Sequence, residues 1–151
     1  MSISGCLGGN MQTVMTVEEI REFLRVEFPQ INALGEAFSV EEVSDGQAVM
    51  RLRVGKMHLR PGGTVSGPAM MTLADLAAYT AILAHVGPVA LAVTTNLNIN
   101  FLKKPAEGDL LATCSLLKLG KRLAVVECGI RSVGEDDLCA HATATYSLPP
   151  R

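Results

Sequence analysis

The sequence predicts an α+β domain in which an antiparallel β-sheet wraps around one long central helix. A run that is apolar on almost every side extends over residues 68–84 and fits a buried helix. Two strand-like segments precede this run and four follow it, with short turns between consecutive strands that are typical of antiparallel hairpins. A helix that is apolar all round must be covered by other structure, so we expect the sheet to enclose it.

The chain before the long helix is expected to form a tail, a short helix and two strands. Residues 1–15 are rich in glycine, lack periodicity and are predicted to be a disordered tail. A capping-box pattern at residues 16–19 starts an amphipathic helix, which Pro29 stops. Strands are predicted at residues 37–43 and 47–54, and in the second of these apolar and polar side chains alternate.

A loop rich in glycine and proline, at residues 60–67, leads into the long helix. We expect Gly67 near the helix N-cap and Pro68 in the first turn, where a missing N–H does no harm. Gly87 and Pro88 are expected to end the helix. The four strands that follow are predicted at residues 90–101, 109–119, 123–133 and 138–148.

Length and composition favour one cytoplasmic domain. The chain has 151 residues, enough for a single domain with a sizeable core, which we expect to extend over residues 16–148. Four cysteines without metal-ligand spacing predict reduced thiols in a cytosolic protein and no metal site.

Composition also argues against nucleic acid and membranes as partners. The formal net charge of −2 and the aromatic content of 4% provide no basic or stacking surface for nucleic acid. The apolar helix is long enough to span a membrane, but Asp75 lies within it and no basic cluster flanks it. We therefore expect a buried helix.

Asp75 is the first candidate for a catalytic residue. It is the only fully charged side chain between Pro61 and Leu102, and it lies inside the apolar helix. An isolated buried charge costs more free energy than a folded domain can sustain, so this carboxylate must be paired or used.

Two sequence segments carry a resemblance to a known family. One is GTVSGPAMMTLAD at residues 63–75, and the other is TNLNINFLKKPAEGD at residues 95–109. Together they resemble the hotdog-fold acyl-CoA thioesterases, in particular the PaaI-like branch named for phenylacetic acid degradation. The likeness covers roughly residues 30–148. It implies a hotdog fold, an acyl-CoA substrate, no separate cofactor, and a homodimer or homotetramer as the assembly.

The family pattern, close to N-x-x-G-x-x-H-G-G followed by Leu-Ala-Asp, assigns roles to individual residues. It places the helix-capping glycine on Gly67 and the acid on Asp75. The family Asn, His and second Gly fall on Arg60, Ser66 and Pro68, which are departures from the pattern. The resemblance therefore implies Asp75, Gly67 and Ser66 as catalytic residues and places Arg60 and Pro68 at the substrate.

The spacing of Gly67 and Asp75 suits a site shared between two chains. A helix N-terminus presents unpaired N–H groups and a partial positive charge, which suit a thioester oxygen. Asp75 lies eight residues later, about 12 Å along the same helix, whereas a base acts within about 3 Å of its proton. We expect Asp75 of one chain to face Gly67 of another across a two-fold axis, as in the family.

Two basic turns are candidates for binding the nucleotide of coenzyme A. Its pyrophosphate and 3′-phosphate require basic groups near the mouth of the site. Lys103 and Lys104 form one such pair, Lys121 and Arg122 form the other, and the resemblance places the nucleotide end of the ligand at both turns. The alternative is that these side chains are solvated charges that protect sheet edges.

Three functions remain open from the sequence. The first is a hydrolase that releases coenzyme A from a short-chain, medium-chain or aryl acyl thioester. The second is a hotdog hydratase or dehydratase, which typically uses a histidine that the start of this helix lacks. The third is a non-catalytic acyl-CoA-binding or sensing domain, which the loss of the family Asn and His favours.

Overall fold

The computed structural model describes residues 11–33 and 35–150 and contains one six-stranded antiparallel sheet. The elements in chain order are helix α1 (Val17–Glu27), a 3-10 turn (Pro29–Asn32), strands β1 (Phe38–Ser44) and β2 (Gln47–Leu52), a second 3-10 turn (Lys56–His58), helix α2 (Gly67–Val86), and strands β3 (Val93–Phe101), β4 (Leu110–Leu119), β5 (Leu123–Ser132) and β6 (Leu138–Ser147). The strand order across the sheet is β1-β2-β4-β5-β6-β3. The predicted class, an antiparallel sheet around a long central helix, is confirmed.

Helix α2 is enclosed by the sheet because it presents small and apolar residues on nearly every side. Fourteen of its 20 residues are buried. Within the described residues it is the one helix long and apolar enough to cross a membrane, and its burial under the sheet accounts for that composition. Its many alanines let the strands approach closely enough to pack at the density of a protein interior.

Both ends of α2 have identifiable caps. The Oγ atom of Ser66 accepts a hydrogen bond from the N–H of Ala69 at 3.2 Å, so Ser66 is the N-cap and Gly67 is the first helical residue. Pro68 lies in the first turn, as predicted. The helix ends at Gly87, whose φ of +105° is a conformation that other residues rarely adopt.

The start of the described chain packs against α2, which corrects part of the predicted tail. Residues 11–15 are not free, because Met11 is buried and the N–H of Val14 donates to the carbonyl oxygen of Ala84 at 2.6 Å. This bond satisfies a carbonyl that a helix C-terminus otherwise leaves unpaired. The remainder of the predicted tail, residues 1–10, lies outside the described residues.

The other predicted elements agree with the structure apart from their limits. The capping box of α1 is present, since Thr16 and Glu19 exchange side-chain and main-chain hydrogen bonds of 3.1 and 2.9 Å. Strand β2 ends at Leu52, earlier than predicted. Beyond it the N–H of Val54 donates to the Asp109 carboxylate at 3.3 Å, so the chain leaves the sheet there.

The two edges of the sheet differ. At the β1 edge, the guanidinium of Arg21 donates to the carbonyl oxygen of Val40 at 2.7 and 3.1 Å, and so caps the outer side of the strand. At the opposite edge, β3 pairs with β6 and with no other strand of the described chain. Its terminal residues Val93 and Phe101 are each about half exposed. An open strand of this length is a template for pairing with another chain.

The hydroxyl of Thr80 is a buried polar group without a partner, and its removal is expected to stabilise the domain. Thr80 is fully buried on α2, and no hydrogen bond to its Oγ1 forms within the described residues. Thr80→Val keeps the shape and removes the polar group, so the free energy of unfolding should rise by about 1 kcal/mol. Urea denaturation measures the change.

Thr72→Val is the matched control on the same helix. Thr72 is exposed and its hydroxyl donates to the carbonyl oxygen of Pro68 at 3.0 Å, so this variant should leave stability nearly unchanged. A loss of stability in Thr80→Val would show that its hydroxyl has a partner in solution.

Candidate functional site

Asp75 is held by two hydroxyl groups from the strands that cover its helix. The Oγ1 atom of Thr94 and the phenol oxygen of Tyr146 each donate to Asp75 Oδ1 at 2.6 Å. The phenol oxygen also lies 2.9 Å from the main-chain carbonyl oxygen of Asp75. Such short O–H···O distances are typical of bonds to an ionised carboxylate. The half-buried charge is therefore paired, as its position in an apolar helix requires.

Sheet register brings the two hydroxyl donors together. Thr94 at the start of β3 lies directly opposite Tyr146 near the end of β6, so their side chains point to the same face, toward α2. Tyr146 is buried, and its ring stacks on that of Tyr79 with centroids 6.3 Å apart. Burial and the adjacent Asp75 carboxylate raise the pKa of Tyr146, which therefore stays protonated and able to donate.

A cleft of about 300 Å³ opens at the N-terminus of α2. Four of the predicted site residues line it, namely Gly67, Arg60, Lys103 and Lys104. The ring of Phe101 covers Gly67 so closely that a Cβ added there would lie 3.2 Å from the ring Cζ atom. The cleft therefore combines a helix N-terminus, an aromatic wall and three basic side chains.

Phe101 was not singled out from the sequence. Its alternation with Leu97 and Ile99 along β3 was the available signal, since these three residues share the strand face that packs toward α2. The apolar alternation indicates a core position, but it does not indicate that this ring lies at the helix start.

Ser66 and Pro68 adjoin the cleft and are not among the residues that line it. The oxygen of the Ser66 side chain already accepts the capping bond, and the Ser66 N–H donates to the carbonyl oxygen of His58 at 2.7 Å. Arg60 lies on the loop between His58 and Ser66. A hydrogen bond of 2.8 Å from the Arg60 N–H to the Thr64 carbonyl oxygen closes this loop. Ser66 thus holds the loop and the helix start in place.

Within one chain, the predicted site residues lie in two groups at opposite ends of β3. Phe101 pairs with Ala140 at the cleft end, whereas Val93 pairs with Ser147 at the end that holds Thr94 and Asp75. Seven residues of β6 separate these points, about 23 Å along the strand.

The second basic turn belongs to the Asp75 end. Lys121 and Arg122 precede Leu123, which pairs with Ser147 of β6, so they lie at the end of the sheet away from Lys103 and Lys104. The resemblance placed both turns at the nucleotide end of one ligand. In a single chain the structure keeps them apart.

Cysteines and metal ligands give no further site within the residues described. Cys114, Cys128 and Cys139 are buried and free, and burial raises the pKa of the Cys114 thiol. Between residues 11–33 and 35–150, no group of three or more His, Cys, Asp or Glu side chains is placed to hold a metal ion.

Comparison with known proteins identifies a family. The sequence profile described as the thioesterase superfamily matches residues 62–145, more than half of the chain. A protein of Saccharolobus solfataricus, named for an inferred esterase activity, is 30% identical over 137 residues, 91% of this chain and 88% of its own length.

Solved structures agree with this assignment. A crystal structure from Silicibacter sp. TM1040, named for an inferred thioesterase activity, is 47% identical and has a TM-score of 0.84, covering 94% of this chain and 97% of that one. A variant of the phenylacetic acid degradation protein PaaI from Thermus thermophilus is 25% identical and has a TM-score of 0.64, covering 74% of this chain and 92% of that one.

The buried phenol of Tyr146 predicts a loss of stability at alkaline pH. Its pKa lies above the ordinary value of 10.0, mainly because of burial. The unfolded chain releases this proton near pH 10 while the folded chain retains it, so the stabilisation is complete below about pH 10 and decreases above it. Between about pH 10 and 11, the free energy of unfolding should fall by about 1 kcal/mol more in the wild type than in Tyr146→Phe.

Urea denaturation of both proteins at a series of pH values measures this difference. Burial also raises the pKa of Tyr79 and Cys114, but both proteins share those groups, so their contributions cancel in the comparison. Equal slopes would show that Tyr146 ionises as easily in the folded chain as in the unfolded one.

Proposed function

Because the chain belongs to the thioesterase superfamily, whose members hydrolyse thioesters, we propose that its substrate is the coenzyme A thioester of a short-chain, medium-chain or aryl acid. The products are the free acid and coenzyme A. One observation carries this proposal: the N-terminus of α2 opens at Gly67 into a cleft bordered by Arg60, Lys103 and Lys104. A thioester oxygen suits the helix terminus, and the phosphates suit the basic groups.

The first turn of α2 leaves one main-chain donor for the thioester oxygen. Pro68 has no N–H, the N–H of Ala69 donates to Ser66 Oγ, and the N–H of Met70 donates to the Ser66 carbonyl oxygen at 3.2 Å. Among the described residues, no acceptor takes the N–H of Gly67. This group, with the positive end of the helix dipole behind it, stabilises the oxyanion that develops when the carbonyl is attacked.

Asp75 supplies the other half of the chemistry. An ionised carboxylate either takes a proton from the attacking water or attacks the carbonyl itself, and each role requires it close to the thioester. On one helix Asp75 is about 12 Å from Gly67, so one chain does not bring both groups to the same carbonyl.

The open edge of β3 supports a two-fold dimer, in which Asp75 of one chain comes close to Gly67 of the other. A two-fold axis near Leu97, the middle of the strand, pairs β3 antiparallel with β3 of a second copy. The Asp75 end of one copy then meets the Gly67 end of the other, and two equivalent sites form. A homotetramer is a pair of such dimers.

The same axis brings the two basic turns toward one ligand. Lys121 and Arg122 of one copy approach the end that carries Lys103 and Lys104 of the second copy. The proposed dimer thus restores the arrangement that the resemblance implied. The buried free thiols support the cytoplasmic location that we propose for this assembly.

A non-catalytic acyl-CoA-binding domain is the second candidate function. It is favoured by Arg60, Ser66 and Pro68 in place of the family Asn, His and Gly, because Ser66 Oγ is engaged as the N-cap. An assay of thiol release over a panel of acyl-CoA thioesters, beside calorimetry of ligand binding, separates binding from hydrolysis.

Asp75→Asn is expected to abolish most of the turnover. The amide keeps the shape and can still accept from Thr94 and Tyr146, but it is not a base. The value of kcat should fall by at least about 100-fold, since a positioned acid–base group contributes that much. KM should change little and the stability should hold or rise. Near wild-type hydrolysis by this variant would assign Asp75 a structural role and favour the binding domain.

Mixing two inactive variants is expected to restore activity if the site is shared. Gly67→Val brings a side chain against the Phe101 ring and blocks the cleft, while Asp75→Asn removes the carboxylate. A mixed dimer retains one intact site, so equal mixing with subunit exchange should recover about a quarter of the wild-type activity. Sedimentation should show a dimer or larger species. An active monomer would refute the shared site.

Removal of the basic side chains should selectively weaken the binding of coenzyme A thioesters. Lys121→Ala with Arg122→Ala, and separately Lys103→Ala with Lys104→Ala, should each reduce binding by about 1–3 kcal/mol in total. Thioesters of pantetheine, which lack the nucleotide, should bind almost as before. Arg25→Ala is the control for loss of charge, because Arg25 is exposed and pairs with Glu22 on α1. Equal losses of affinity for coenzyme A thioesters and pantetheine thioesters would show that these side chains do not bind the phosphates.

A further inference from the structure

The hydrogen bonds around Asp75 point to Tyr146 as a positioning residue, and we propose that its phenol fixes the carboxylate so that Oδ2 faces the attacking water. This inference rests on the proposed function and deepens it. Tyr146 lies in β6, outside the two segments, residues 63–75 and 95–109, that carry the family resemblance.

The two oxygens of Asp75 have different surroundings. Oδ1 accepts from both Thr94 and Tyr146 at 2.6 Å, whereas no donor within residues 11–33 and 35–150 reaches Oδ2. A general base needs a lone pair free to accept the proton of water. Oδ2 therefore keeps the basic position, and Oδ1 serves to hold the carboxylate.

Tyr146 constrains the side chain of Asp75 through a second contact, to the main chain of Asp75, that Thr94 does not make. Its phenol oxygen lies 2.6 Å from Oδ1 and 2.9 Å from the main-chain carbonyl oxygen of the same residue. Because one group contacts both the tip and the backbone of Asp75, rotation of the carboxylate about its side-chain bonds would break the contact at the tip. The direction of Oδ2 is fixed relative to the axis of α2.

Tyr146 is itself held rigidly. It is 2% exposed, and its ring stacks on Tyr79, which in turn meets the ring of Phe28 edge-on at 5.9 Å. The phenol of Tyr79 donates to the carbonyl oxygen of Ala90 at 3.0 Å. The ring contacts, which do not involve the Tyr79 hydroxyl, keep the Tyr146 hydroxyl in place, as positioning of a reactive group requires.

Two titratable groups near Asp75 do not carry charge near neutral pH. They are the phenol of Tyr146 from β6 and the thiol of Cys114 from β4, and burial raises the pKa of both. Tyr79 on the same helix also has a pKa raised by burial. Donors to a carboxylate favour its charged form, so loss of the Tyr146 donor should shift protonation to higher pH.

Tyr146→Phe tests this role, with Tyr79→Phe as the matched control. Each variant removes one buried phenol hydroxyl, but the Tyr79 hydroxyl does not touch Asp75. In Tyr146→Phe, kcat should fall roughly 10-fold to 100-fold, as expected for loss of one hydrogen bond to a charged group, with KM within about two-fold. The acid limb of the profile of kcat/KM against pH should move to higher pH. Tyr79→Phe should leave kcat and the pH profile unchanged.

A second measurement does not depend on turnover. The chain has five aspartates, so carbon-13 labelling of their carboxyl groups gives few signals, and Asp75→Asn assigns the one from Asp75. The titration midpoint of that signal should rise in Tyr146→Phe and stay constant in Tyr79→Phe. An unchanged midpoint would overturn the inference.

The failure of this inference and that of the proposed function give different results. If the wild type hydrolyses acyl-CoA and Asp75→Asn does not, but Tyr146→Phe keeps the wild-type kcat and pH profile, the positioning role alone is wrong. If the wild type releases no thiol from any acyl-CoA, the proposed function is wrong and the positioning role is lost with it. A fall in kcat that Tyr79→Phe reproduces would reflect stability and would also overturn the inference.

Discussion

The burial of α2 is the constraint on which the rest of this structure depends. A helix that is apolar on every side is stable in water only when a sheet covers it, and the antiparallel strands do so. Inside that cover each polar group requires a partner. Among the described residues, the N–H of Gly67 and Oδ2 of the Asp75 carboxylate have no hydrogen-bond partner despite this. The function that we propose uses these two positions.

The straight geometry of the helix is the reason that we propose a dimer. Eight residues of α-helix separate the donor from the carboxylate by about 12 Å, and no rearrangement of side chains closes that gap. The same fold leaves β3 open while Arg21 caps the outer edge of β1. The edge that can accept a second chain is the edge beside both reactive groups. In the proposed dimer, the single strand β3 therefore couples assembly to catalysis.

The fold was predictable from the sequence because periodicity and turn residues reflect local constraints. The apolar run and the hairpin turns led to the right class, and among the helices and strands the errors lie at the ends, as in β2, where Asp109 accepts the N–H of Val54. Packing of residues 11–15 was missed because it depends on a distant carbonyl of α2. Asp75 was recognisable as a lone charge in an apolar helix. Tyr146 was not, since its contact with Asp75 spans 71 residues and depends on sheet register.

The departures from the family pattern change which main-chain donors are free at the start of α2. Pro68 removes one main-chain donor, and the side chain and carbonyl of Ser66 engage the next two, so the helix presents the N–H of Gly67 by itself. A glycine in place of Pro68 would add a second free donor with no fixed acceptor. A single donor defines one direction of approach for the thioester oxygen. In the function that we propose, loss of the family residues leaves a donor for the oxyanion at Gly67, and the base is Asp75 of the second chain.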